Sequence, residues 1–415
     1  MDMENIRKWA ATVPNDGLLR YYLAGNLERV LVIGPQALEE VLVSKVYAFP
    51  KSESLRIKLQ RFTGNGILLA VGEEHKTQRR GLLPSFAHRH IKDLYPTFWA
   101  KAVEMADSIE AQQAQSADAD TVTIQVSDWA GRVTLDLIGL AAMGQDFGSI
   151  SDPTTAFHQE HNKLRMRPTT GMRLLILSVM LTVGYPAIFH LPTRWNHENM
   201  VDQMIALLVA GHETIAAALQ WAVYALAKHP DMQTRLRAEV RARVPMSSGA
   251  AVTTAMCADE VDALPYLRAF CNEVLRFYPP VPSTVRQAQA DTTLAGSFIP
   301  KGTTLLILPG VTNHEPELWG PDAAVFSPER WLGPGRSNNG GATGRYANLT
   351  FLAGPRSCIG QVFAQSELLC LVAVLVGRFQ IELQDPDRPL EVLQSVSAAP
   401  KDGVMTRLRR LDGWT

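Results

Sequence analysis

Hydrophobic positions recur at three- and four-residue steps over most of this chain, the period of a helix with one buried face. The longest such run is Met204, Leu207, Leu208, Gly211, Ile215, Leu219 and Ala222, and it predicts a helix over about 198–228. The helix has to end there, because His229-Pro230 follows and a proline disfavours helical geometry in the residue before it. A second run over 361–376, with Val362, Phe363, Leu368, Leu369 and Val372, predicts another apolar helix. Strand-like runs are few and short, at 30–33, 293–298 and 303–308. Residues 111–120, 244–259 and the glycine-rich 333–348 read as loops. The pattern predicts a mainly α fold with small β-sheets, in one large domain over 1–415 with no interdomain linker. A helical core is expected at about 200–380, and a mixed β and helical portion at about 20–110.

Composition changes this picture little. A hydrophobic share of 46% with 20% charged residues fits a globular chain with a large core. A net charge of −1 gives no support for a nucleic-acid partner. The four cysteines, Cys257, Cys271, Cys358 and Cys370, form neither a close metal pair nor a disulfide framework, which points to a reducing, intracellular setting. Residues 1–7 carry Asp2, Glu4 and Arg7, and no apolar signal segment follows them. The apolar stretch at 172–191 is interrupted by Gly184 and Pro186 and is short of the ~20 residues of a span. It reads as a surface or roof element and is the candidate for peripheral membrane contact. The stretch over 201–227 is long enough to span, but Asp202, His212 and Glu213 fall inside it, so it reads as a buried helix.

Chemistry concentrates in three places. In Phe351-Leu352-Ala353-Gly354-Pro355-Arg356-Ser357-Cys358-Ile359-Gly360, one cysteine lies in a glycine turn just before a helix, two residues after an arginine. A helix N-terminus lowers a thiol pKa and favours the thiolate that ligates metal. The other reading of Cys358 is a small buried hydrophobe. Ala210-Gly211-His212-Glu213-Thr214 puts an acid and a hydroxyl beside a glycine in the middle of the long helix. That is either a functional site or a helix kink with a satisfied glutamate. Glu273 and Arg276 share one helix face a turn apart, but Glu4–Arg7 and Glu53–Arg56 have the same spacing, so the tetrad alone says little.

The ten-residue stretch resembles the haem-binding signature of the cytochrome P-450 superfamily, Phe-x-x-Gly-x-Arg-x-Cys-x-Gly, at all five fixed positions. Ala210–Thr214 resembles the superfamily's distal-helix motif. Glu273–Arg276, flanked by Leu264-Pro265-Tyr266-Leu267 and Phe277-Tyr278-Pro279-Pro280, resembles its Glu-x-x-Arg helix, and Phe326–Trp331 its Pro-Glu-Arg-Phe segment. The resemblance implies the cytochrome P-450 fold and haem b, with 200–380 as the haem-binding core. Cys358 would be the metal ligand, and Gly211 would open a groove over the iron. Glu213 and Thr214 would be the catalytic pair that manages protons. Arg286, Arg356, Arg79 and His75 would bind the haem propionates, with His75 standing where a tryptophan is usual. Arg330 would join Glu273 and Arg276 in a buried cluster. His212 occupies a variable position and is expected only to pack. Lys76 and Arg80 are expected to offer positive charge to an electron donor.

The implied activity is a haem-thiolate monooxygenase that inserts one atom of O2 into an apolar small molecule. Electrons would come from NADPH through an NADPH-cytochrome reductase. The style of the motifs is fungal, where many relatives act in secondary metabolite biosynthesis. A monomer is expected, in the cytoplasm or peripheral on the endoplasmic reticulum. Two departures stand out: no N-terminal anchor is seen, and several tens of residues of distal roof are missing near 195–197. They leave two rivals. One is a non-catalytic or degenerate haem-binding protein; the other is an oxygen-independent isomerase or dehydratase, which the intact Glu213–Thr214 pair speaks against.

Overall fold

The computed structural model describes residues 3–23, 26–114, 120–154, 197–244, 258–394 and 397–414. The helices that build the site and its core are α1 (Gly72–Leu82), α2 (Tyr95–Ala114), α3 (Val126–Ile138), α4 (His197–Lys228), α5 (Pro230–Arg243), α6 (Pro265–Phe277) and α7 (Gln361–Arg378). Their ends follow local chemistry. Helices α5 and α6 start on a proline, whose fixed φ suits the first turn and whose missing N–H is not needed there. Helix α4 stops at Lys228, where the sequence requires it.

The core lies between α4, α3, α2 and α7. Leu208, Leu219, Ala222 and Leu226 of α4 and Leu368, Leu371 and Val372 of α7 are almost fully buried. Phe98 of α2 meets Phe363 of α7 edge-on, with ring centroids 5.1 Å apart. Both α4 and α7 are long and apolar enough to cross a membrane, yet 67% and 78% of their apolar windows are buried inside the protein, so they are core helices. Along the α3–α4 seam, a Cβ on Gly211 would lie 2.6 Å from Ile138 Cδ1. His212 Nε2 donates to the Gly131 carbonyl at 3.0 Å, the packing role expected of it. The stretch at 172–191 lies outside the described residues.

A four-stranded sheet has the order β1 (Leu18–Leu23), β2 (Leu27–Val32), β7 (Thr304–Ile307) and β4 (Thr284–Gln287), with only β2–β7 parallel. A second, antiparallel sheet orders β3 (Thr121–Gln125), β11 (Met405–Arg410) and β8 (Phe379–Leu383). Two small pairs complete the β structure, β5 (Thr292–Leu294) with β6 (Ser297–Ile299) and β9 (Val392–Gln394) with β10 (Ala398–Pro400). The run at 293–298 is therefore a hairpin and not one strand. Ala295 and Gly296, both at positive φ, turn the chain there. Ala258 and Asp259, expected in a loop, instead begin the short helix Ala258–Asp262.

Glu273 and Arg276 are fully buried on α6. The arginine donates Nε to Glu273 Oε2 at 2.8 Å and Nη2 to Oε1 at 2.7 Å. Arg330 Nε adds a bond at 3.1 Å, Trp331 Nε1 one at 2.9 Å and the Ser327 N–H one at 2.8 Å. The expected Glu–Arg–Arg trio is thus one satisfied network. Removing a member strands a buried charge, at a cost of about 3–5 kcal/mol. Arg276→Ala should lose stability on that scale, read as an early urea midpoint or as loss of soluble protein. The exposed Arg268→Ala should change it by under about 0.5 kcal/mol. An Arg276→Ala protein as stable as its parent would remove the structural role.

Candidate functional site

Cys358 sits in the turn between Gly354 and α7. Gly354 has φ +72°, and a Cβ there would lie 2.2 Å from the Leu42 carbonyl oxygen, so no side chain fits. Leu352 also takes a positive φ, 57°, rare for a residue with a side chain, and is held by packing against the Leu42 and Phe49 cluster. The Cys358 N–H closes the loop on the Phe351 carbonyl at 2.9 Å. Gly360 has no close neighbour to accommodate, since its Cβ would meet only Phe86 at 3.7 Å. Its contribution is a backbone N–H on the Cys358 sulfur.

The thiol does not behave as the sequence suggested. The Cys358 side chain is open to solvent, yet the protein rings it closely enough that burial pushes its pKa up. The Gly360 N–H and Arg79 pull it down without prevailing. Helix α7 begins three residues later, at Gln361, so the sulfur is outside its first turn. A coordinated cation does what the helix end does not, because a metal deprotonates a ligating thiol outright. Cys271 and Cys370 are buried, with thiols pushed up by desolvation, and suit packing. Cys257 lies outside the described residues.

Four cations gather beside this loop. Arg286 on β4 is 1% exposed, donates to Thr284 Oγ1 at 2.9 Å and the Val285 carbonyl at 3.0 Å, and keeps its Nε buried without a partner. Burial and then Arg356 bring its pKa down to about 10. Arg356 donates to the Ala70 carbonyl at 2.6 Å, and its Nε is likewise buried and unpaired. Lys51 reaches the Leu68 carbonyl at 2.9 Å; burial, Arg286 and Arg356 hold its pKa well below the usual lysine range. Arg79 braces Ser357, donating to its carbonyl at 2.8 Å and to Oγ at 3.2 Å. Among the described residues no carboxylate pairs with any of the four. Buried charges without counter-ions cost several kcal/mol each. Such a cluster fits a ligand bearing carboxylates, and haem brings two. Lys51 escaped the sequence reading, because a lysine after Phe49-Pro50 carries no signal until the fold brings it to Arg286 and Arg356.

His75 on α1 is 2% exposed, and its Nδ1 lies 3.2 Å from the Tyr47 hydroxyl. Burial, then Arg356, Arg79 and Lys51, bring its pKa down to about 4, so it is neutral at physiological pH. Across the centre of α4 the chain opens. Residues 203–208 and 215–223 are buried, but Val209, Ala210, Gly211, Glu213 and Thr214 are accessible. Thr214 Oγ1 donates to the Ala210 carbonyl at 2.7 Å, which uses its only proton and leaves its lone pairs free. Glu213 has no hydrogen-bond partner among the described residues, so nothing supports the satisfied glutamate of a mere kink. The space beside Gly211, expected to form the groove, is filled by Ile138, and the opening lies at Ala210 instead.

With this geometry the comparisons agree. The chain belongs to the cytochrome P450 family, whose model it matches in two stretches, 17–190 and 190–406. It is similar to the cytochrome P450 monooxygenase sphH of Aspergillus fumigatus, at 47% identity over 99% of this chain and 84% of that protein. Similarity to the cytochrome P450 monooxygenase FSL4 of Gibberella zeae is 37% over 98% and 84%. The solved heme domain of cytochrome P450DA shares the fold, with a TM-score of 0.80 at 23% identity, over 99% of this chain and 92% of that one. The Aspergillus alignment runs over 456 positions and this chain has 415 residues, so at least 41 positions have no counterpart here. The family match breaks at 190, a few residues from the junction near 195–197 at which the sequence reading expected roof residues to be missing.

If Cys358 is the ligand, Cys358→Ala should abolish the thiolate-type spectrum of the reduced, carbon-monoxide-bound protein. Cys370→Ala should leave it intact. Retention of that spectrum by Cys358→Ala would reassign the ligand.

Proposed function

We propose that this chain is a haem-thiolate monooxygenase that inserts one oxygen atom from O2 into an apolar small molecule, with electrons relayed from NADPH by a reductase. The observation that carries the reading is the group of cations beside the accessible Cys358, Arg286 buried and the others half-buried, with no carboxylate partner among the described residues. Haem, when bound, supplies the iron that activates dioxygen. Cys358 would ligate that iron, and Arg286, Arg356 and Lys51 would neutralise the propionates. His75 adds a hydrogen bond there, and Arg79 holds the ligand loop through Ser357.

On α4, Val209 and Ala210 offer an apolar surface to substrate beside Thr214. The Thr214 hydroxyl already donates to Ala210, so toward the pocket it acts as an acceptor and holds a water in place. Glu213, one residue away and without a hydrogen-bond partner among the described residues, carries protons from solvent to that water. Thr214→Ala should therefore keep haem but lower product formation by roughly 10²-fold while NADPH is still consumed and peroxide rises. Thr214→Ser should stay near the parent. Equal, low peroxide per NADPH in parent and Thr214→Ala would remove Thr214 from the proton path.

The reductase docks on the cysteine side. A cavity of about 830 Å³ there is lined by Arg268, Asn272, Asn339, Arg345, Gln361 and Gln365, and α4 contributes nothing to it. Exposed Arg268, Arg345 and, on α1, Arg80 supply positive charge for an acidic partner. Lys76 is less available, being paired with Glu73 at 2.5 Å. Arg345→Glu should slow reduction at low salt and flatten its ionic-strength dependence. A reduction rate insensitive to both would exclude this face. The reading also sets the chain at the surface of the endoplasmic reticulum, where such reductases work.

One observation favours a second reading, a haem-binding protein without turnover: the family match breaks at 190, and at least 41 positions of the Aspergillus alignment have no counterpart in this chain. Incorporation of labelled O2 into any substrate decides for the first reading. A thiolate-type spectrum with no turnover decides for the second.

A further inference from the structure

Where the family commonly has a tryptophan, this chain has His75, and the two side chains are not equivalent donors. An indole offers one fixed N–H. A neutral imidazole has one donor and one acceptor nitrogen, and either can face a ligand. Presented to a carboxylate, the acceptor face repels and the donor face binds, so which nitrogen carries the proton decides the sign of the contact.

Tyr47 bears directly on that choice. Its hydroxyl lies 3.2 Å from His75 Nδ1, with the rings 5.9 Å apart. The Lys76 ammonium sits 4.8 Å above the Tyr47 ring and the Arg356 guanidinium carbon 5.6 Å from it. The same positive surroundings, Arg356, Arg79 and Lys51, keep the imidazole unprotonated. A hydroxyl can donate to Nδ1 or accept from it, and donation leaves the hydrogen on Nε2, which has no partner among the described residues.

We propose that Tyr47 is a positioning residue for the cofactor: its hydroxyl locks His75 in the Nε2–H tautomer, so that this imidazole presents a fixed donor to a haem propionate. The proposal rests on the haem reading above and assigns Tyr47 no contact with haem or substrate.

The test is the rate of haem loss from the full-length holoprotein to excess apomyoglobin, measured in two backgrounds. In the parent, Tyr47→Phe should speed haem loss roughly fivefold, the scale of one hydrogen bond. With His75→Trp already in place, whose indole needs no tautomer lock, adding Tyr47→Phe should change the rate by less than about twofold. If the indole is too large to load, His75→Lys supplies the reference background, since an ammonium only donates and has no acceptor face. Equal acceleration in both backgrounds would mean that Tyr47 merely packs, and no acceleration in the parent would mean that it does nothing for the cofactor; either result overturns the proposal. A parent lacking the thiolate-type spectrum would instead sink the haem reading, and that outcome is seen before any variant is made.

Discussion

The Glu273 carboxylate, fully buried and accepting from five donors, is the interaction on which the rest of the structure depends. Through Arg330 and Trp331 it ties α6 to the Pro328–Trp331 turn. Through Arg276 it reaches further. Arg276 Nη1 donates to the Asn313 carbonyl at 2.6 Å, and Asn313 Nδ2 returns a bond to the Arg276 carbonyl at 3.1 Å. Asn313 then takes the Leu349 N–H at 2.9 Å and donates to Thr350 Oγ1 at 2.8 Å, while Thr350 bonds the Leu275 carbonyl. Thr350 immediately precedes Phe351, the first residue of the cysteine loop. A buried ion pair on one helix is thus linked by continuous hydrogen bonds to the base of the ligand turn, although the irregular residues 333–348 lie between them in sequence.

A buried and a partly buried group of charges therefore coexist, resolved in opposite ways. The first is neutralised within the polypeptide and serves structure. The second, Lys51, Arg286 and Arg356, has hydrogen bonds to carbonyls and a hydroxyl but no anion among the described residues. Carbonyl bonds orient a guanidinium without cancelling its charge, so the field of this second group stays directed at whatever enters. Burial of a polar group distinguishes neither case from the other. The presence or absence of a carboxylate does.

Much of this was legible in the sequence because the decisive residues are local. The ends of α4 follow from a proline and an apolar period, and the Glu273 network from segments each carrying its own motif. What escaped depends on contacts across the fold. Lys51 and Tyr47 matter only once the turn before residue 53 folds against α1 and β4, and neither stands in a recognisable pattern. Asn313, the relay between α6 and the cysteine loop, is an unremarkable polar residue until its partners from 276 and 349–350 close around it. The thiol argument failed for a geometric reason: Ile359 and Gly360 separate Cys358 from the first residue of α7, and nearby burial outweighs the Gly360 N–H and Arg79. The run at 293–298 misled because alternation survives a two-residue turn, and only the positive φ at Ala295 and Gly296 reveals it.

The unpaired cations reach beyond binding. A pocket whose charges repel until an anionic cofactor enters makes that cofactor part of the folding equilibrium, because anything bound only by the native state shifts unfolding by mass action. The chain released from a ribosome without haem carries this repulsion in its native state and opens more often. Opened chains are what proteases remove. For a chain that binds haem in this pocket, the cell's haem supply would then help set how much of the synthesised protein survives.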